Sequence, residues 1–161
     1  MPQLNDLLKR LNSSKELKDF KKKHEKSFLY ACFYVSDGNW QFDFYNPKDE
    51  FITTFEVSDV IKVMPVDKAF KEDNSKISEL DFDKVKLDFD KVMGIVKKFI
   101  SSEYPNDSSF TKTIVILQCL DNKVVWNITF LTSTLKLINV KLDASSGKVI
   151  SHTSESFLSM R

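Results

Sequence analysis

Between Val124 and Ile150 the chain reads VVWNITFLTSTLKLINVKLDASSGKVI, and no other stretch limits the fold as much. Apolar and polar residues alternate through VVWNITFL and again through LKLINVKL, the period of a half-buried strand. Thr132-Ser133-Thr134 separates the two runs, and Asp143-Ala144-Ser145-Ser146-Gly147 follows the second. Both are turn chemistries, so neighbouring antiparallel strands are expected, with a short closing strand at Val149-Ile150. Lys112–Leu120, KTIVILQCL, supplies the strand before them.

A weaker counterpart lies at Asn39–Val63, NWQFDFYNPKDEFITTFEVSDVIKV. It follows SFLYACFYVS and the hairpin signal Asp37-Gly38. Three unlike markers recur in order. Cys32 precedes Trp40 by eight residues and Asp59 follows it by nineteen; Cys119 precedes Trp126 by seven and Asp143 follows it by seventeen. This spacing suggests an internal duplication.

Each half opens with helical sequence. Residues 3–26 carry Leu4, Leu7, Leu8, Leu11, Leu17 and Phe20 at helical spacing, with Asn5 as a candidate cap. Asn12-Ser13-Ser14 should break that helix, because these side chains compete for backbone hydrogen bonds. In the second half LDFDKVK is followed by LDFDKVM, and Asp88 is placed to cap a helix from about Phe89 to Tyr104. The first copy should lie extended or make a short turn. Polar residues between Met64 and Glu79 read as a linker, and the chain after Ile150 as a short edge segment or frayed tail.

The expected fold is therefore α+β: two similar units, each a helix packed on an antiparallel sheet of three to four strands. Residues 1–65 would form the first unit, 66–86 the linker and 87–161 the second.

The second half resembles the PepSY family of small α+β modules. The resemblance is carried by the helix ending in FISSEY, by Trp126 in the middle strand and by VKLDASSGKVI at Val140–Ile150, where Asp143, Ala144, Gly147 and Val149 match in order. The first half has Trp40 and FEVSDVIKV but lacks the glycine, so it would be a divergent copy. The resemblance implies a non-catalytic, inhibitory or regulatory role, sometimes toward a peptidase.

The residue inventory points the same way. Only 3 glycines occur in 161 residues, so glycine-rich phosphate loops are excluded. Lys+Arg 24 against Asp+Glu 23 leaves a net charge of +1, which favours no nucleic acid partner. The lysine-rich Lys18–Lys26 reads as a solvated helix face. Cys32 and Cys119 sit in apolar strands and read as small buried residues. His24 lies in the lysine run and His152 in the tail, with no partner set for nucleophilic catalysis. Asp81, Asp83, Asp88 and Asp90 read as a helix cap with solvated neighbours rather than a metal site. Asp43, alternating with aromatics, is expected to face water.

No catalytic, metal or cofactor residue is assigned. Trp40 and Trp126 are the candidate contact residues, with core packing as their plainer reading. The expected function is a non-enzymatic binding or regulatory module with a protein partner, a peptidase being the class the resemblance suggests, the alternative being a small-ligand or lipid-binding domain using an aromatic sheet face. No apolar run approaches the roughly 18 residues that span a bilayer. With no signal peptide visible, the cytoplasm is the expected location.

Overall fold

The alternating runs form strands where the period-2 pattern predicts them. The computed structural model describes residues 3–69 and 76–159. In chain order the strands are β1 Phe28–Val35, β2 Trp40–Asn46, β3 Phe51–Val57, β4 Ile61–Val63, β5 Asp67–Lys68, β6 Phe110–Leu120, β7 Lys123–Thr132, β8 Lys136–Asp143 and β9 Val149–Ser156. The helices are α1 Leu4–Asn12, α2 Lys15–Lys23 and α3 Phe89–Glu103.

Cap chemistry sets the helix ends. Ser14 accepts a hydrogen bond from the Leu17 amide and starts α2 after the break at Asn12-Ser13. Asp88 accepts one from the Lys91 amide and starts α3. α1 begins one residue before the expected cap Asn5, with Gln3 in the cap position and no side-chain hydrogen bond there. The first LDFDKVK copy makes a single 3-10 turn at Phe82–Lys84.

The strands join in one sheet of nine, ordered β4-β3-β2-β1-β6-β7-β8-β9, with β5 also on β3. Every pairing is antiparallel. This corrects the expectation of two helix-on-sheet units: the fold is mostly sheet, and the sheet is continuous. The reason lies at its middle. β1 and β6 would each be a bare edge in a separate unit; instead they pair with each other from Ala31↔Gln118 to Val35↔Ile114. The order then runs outward from this seam as a meander on either side.

A second correction concerns the C-terminal residues read as a short edge segment or tail. They form β9, a regular edge strand held along β8 from Leu142↔Val149 to Lys136↔Ser156. The sequence ISHTSES has no apolar alternation because an edge strand held by its backbone ladder needs none.

All three helices contribute to the same buried cluster. Phe42, Phe55, Leu117, Trp126 and Leu142 lie in one row across the sheet, each 0% exposed. Leu7 and Leu11 of α1, Leu17 of α2, and Val92, Val96 and Ile100 of α3 complete the cluster. The helices therefore cover one face, and no described helix packs on the other.

The Asp143–Gly147 turn locks the linker to this core. The Asp143 carboxylate accepts hydrogen bonds from the Ser145 and Ser146 amides, at 2.8 and 3.0 Å. Gly147 takes φ +78. Ala144, fully buried, offers its carbonyl to the Lys86 and Leu87 amides.

Candidate functional site

The two candidate tryptophans meet on the helical side. Their ring centroids are 6.3 Å apart, Tyr34 stacks on Trp40, and Phe89 touches both indoles. Trp40 is 2% exposed and Trp126 0%. Each forms part of the wall of a surface cleft beside α1, Trp126 with Leu4 and Phe82, Trp40 with Leu7 and Asp59. Neither indole N–H finds an acceptor among the described residues.

The thiols and imidazoles are not brought together as a reactive set. Cys32 faces Leu117 across the β1–β6 ladder rather than Cys119, and both thiols are free. Burial, then the Asp43 charge, pushes the Cys32 thiol up. Cys119 on β6 and His152 on β9 are three strand spacings apart and four residues out of register, a separation of roughly 20 Å. His152 instead meets the Tyr104 hydroxyl at 2.6 Å and the Phe99 ring, tying β9 to α3. His24 packs on Phe20 and contacts the Asn46 amide. Among the described residues no group of three or more His, Cys, Asp or Glu is placed to hold a metal ion. Asp81 and Asp88 engage backbone amides.

The opposite, helix-free face is where functional groups converge. Residues paired across an antiparallel sheet project to the same side, so each register row can be read across the strands. One row runs Glu56, Gln41, Phe33, Ile116, Asn127, Lys141. The next runs Thr54, Asp43, Ala31, Gln118, Val125. A third runs Val35, Ile114, Thr129, Asn139. The middle of the face is apolar, and amides, hydroxyls and a few charges flank it. The Asn139 amide donates to Asn127 Oδ1 at 2.6 Å and Thr129 Oγ1 at 2.9 Å, which holds one flank rigid.

At one end of this face stands an aromatic corner. Tyr45 makes edge contacts with Phe28 and Tyr30, at centroid distances of 5.7 and 6.4 Å. Beside it lies Asp43, whose Oδ1 accepts a hydrogen bond from Thr54 Oγ1 at 2.6 Å. Burial pushes the Asp43 carboxyl above the usual carboxylate range, and the Thr54 hydrogen bond opposes this only in part. Burial, and then the Asp43 charge, pushes the Tyr30 phenol up as well. Asp43 does face away from the core, as its alternation predicts, yet it is not freely solvated. The sequence signal was present: a single acid inside the aromatic run WQFDFY. What alternation does not reveal is how far neighbouring aromatic rings shield the outer face.

No family model matches the chain, and no curated protein matches it. Among solved structures, one similar fold is that of a Clostridium difficile 630 protein provisionally described as a lipoprotein. It covers 87% of this chain and 90% of its own, with a TM-score of 0.57 and 13% identity. At that identity the likeness concerns the fold alone.

Proposed function

We propose that this chain is a non-enzymatic binding module that regulates another protein by receiving it on the helix-free face of the sheet. One observation carries the reading: an apolar centre flanked by hydrogen-bonding side chains, on a face that no described helix covers. From β3 to β8 this face is roughly 24 Å wide and 20 Å long, about 500 Å² in projection, before side-chain relief is counted. That approaches the ~800 Å² per partner of a standard protein interface. The clefts beside α1 lie on the other side, and the open face has its own cleft toward β7 and β8, lined by Val125 and Lys141, so the choice between an extended partner and a small molecule falls to the experiment.

The resemblance to PepSY modules favours the same direction. The Asp143–Gly147 turn that bears it has the geometry of a structural bend, with its carboxylate engaged by backbone amides. A peptidase is accordingly the first partner class to test. The reading takes the cytoplasm as the place of action. The description of the structural neighbour as a lipoprotein makes attachment to a membrane the competing outcome, which fractionation of the native host separates. Among the described residues no helix is long and apolar enough to cross a membrane.

The test is photocrosslinking in the native host. A benzophenone side chain at Phe33, on the open face, should capture one protein in stoichiometric yield. The same group at Lys97, exposed on α3, should not. Equal capture from both positions, or none from Phe33, overturns the reading. A small molecule retained in native mass spectrometry and displaced by Phe33→Asp would favour the ligand-binding alternative.

A further inference from the structure

We propose that Asp43 and Tyr30 form a receptor for one cationic side chain, an arginine of the protein partner, with the buried Tyr45 ring backing Tyr30. The inference rests on the open face being a protein-binding surface and names the chemistry of its recognition point.

The local backbone is built for it. β1 pairs with β2 through Leu29↔Phe44 and then Ala31↔Asp43, so Tyr30 is the extra residue of a β-bulge. A bulge re-aims a side chain, and here it breaks the alternation at one place. Leu29 packs against the core, while Tyr30 meets the ring of Tyr45 and Ala31 pairs with Asp43 on the open side. Two consecutive residues thus serve the open face. The smaller of them, Ala31, stands directly beside the carboxylate, and the larger sets a phenol next to it.

The carboxylate has capacity to spare. Thr54 engages Oδ1, and Oδ2 has no hydrogen-bond partner among the described residues. No ion pair to Asp43 forms among them either; the Lys136–Asp107 pair lies elsewhere, near the β7–β8 turn. A carboxylate that has lost part of its water and gained no cation profits from an incoming positive charge. The aromatic rings beside it select the kind of cation. A guanidinium is planar, weakly hydrated, stacks on phenol rings and can meet a carboxylate with two N–H groups; an ammonium keeps its water more tightly. Complementarity of charge and shape therefore points to arginine before lysine.

The experiment uses the full chain and a defined probe, N-acetylarginine amide, followed by backbone and side-chain NMR shifts. Saturable millimolar binding is expected, with the largest shifts at Tyr30, Ala31, Asp43 and Thr54. N-acetylcitrulline amide, the neutral isostere, should bind about tenfold more weakly, the equivalent of about 1.4 kcal/mol. Asp43→Asn should lose the same factor, since asparagine can still accept the Thr54 hydroxyl and keep the local fold. Tyr30→Ala is the second variant and should also weaken the probe. Shifts that do not saturate, or that are equal for the citrulline probe or for Asp43→Asn, overturn the proposal. If crosslinking from Phe33 captures a protein equally well with Asp43→Asn, the surface stands and the arginine receptor falls. If the probe saturates at Asp43 while Phe33 captures nothing, the cation receptor stands and the protein-binding surface falls.

Discussion

Successive residues on β1, β2, β6 and β7 belong to different environments although they are one position apart. Phe42 and Trp126 are sealed beneath the helices, whereas Gln41 and Asn127, their neighbours in sequence, lie on the half-open side. The helical side is almost wholly hydrocarbon and aromatic ring. The open side mixes aliphatic residues with Gln118, Asn127, Thr129 and Asn139, and carries the partly buried Asp43. A fold that needed only stability would put more polar side chains on an uncovered face. The apolar residues at Phe33, Ile114 and Ile116 do little for the core, and contact with something outside the chain gives them a reason to be there.

The largest effect should come from trimming the same kind of residue on each face. Phe42→Ala removes a fully buried ring and should cost about 3–5 kcal/mol of unfolding free energy. Phe33→Ala, from the adjoining strand on the other side, should cost about 1 kcal/mol or less, since only part of its surface is buried. Urea denaturation of the two variants decides the point. Comparable losses would mean that the open face is a second core, and the contrast between the sides would collapse.

Next in size is the turn that closes the helical side. Gly147 has φ +78, and a Cβ there would sit 2.8 Å from Leu87 Cδ1 and 3.3 Å from Ile95 Cδ1. Gly147→Ala should destabilise by about 1–2 kcal/mol from the backbone alone, with the Leu87 contact adding to it. Measured against Leu87→Ala alone, Gly147→Ala should lose the part of its cost that comes from the Leu87 contact and keep the backbone part. Loss of the whole cost would show that the positive φ carries none here.

The parts of this molecule that were legible in the sequence are those governed by local chemistry. The alternation in VVWNITFL and LKLINVKL, the helix break at Asn12-Ser13-Ser14, the cap at Asp88, and the Asp143–Gly147 bend each follow from residues within one turn or strand, and each forms as expected. What was not legible is pairing over distance. Nothing near Phe33 announces that its partner across the seam is Ile116, and that one ladder turns two expected units into one sheet. β9 escaped because its hydroxyl-rich sequence offers a backbone to the ladder and no side-chain pattern. Asp43 was placed on the correct face, but its partial burial depends on Tyr30, which reaches that face through a bulge that alternation cannot predict.

Smaller effects, read through pH, set a carboxylate on the open face against one that braces a turn. Burial raises the Asp43 carboxyl above its unfolded value, so its contribution is most favourable in acid and is lost as pH rises through the folded value. Asp43→Asn should therefore stabilise the fold at neutral pH, and a gain of about 1 kcal/mol would raise Tm by roughly 2–4 °C in a domain of this size. The gain should vanish below about pH 4, the ordinary carboxylate range. An unchanged Tm at neutral pH would mean that the face leaves Asp43 well hydrated, and would weaken the case for it as a binding point.

Asp107 behaves with the opposite sign. Its Oδ1 accepts from Thr134 Oγ1 at 2.6 Å and its Oδ2 from Lys136 Nζ at 3.1 Å, bracing the β7–β8 turn against the start of β6. These two hydrogen bonds, Thr134 first, hold its carboxyl below the usual range. The stabilisation is fully present above the unfolded carboxylate value and is lost as pH falls through the lower folded one. Asp107→Asn should lower Tm slightly at neutral pH, and the gap to the unaltered chain should close as the solution is made acidic. Lys136 is 42% exposed, so salt should shrink the part of the gap that comes from charge. Thr134→Val removes the hydroxyl while leaving the lysine, and its effect should persist in high salt. If salt erased both effects equally, the brace would be charge alone, and the turn would owe its stiffness to its backbone.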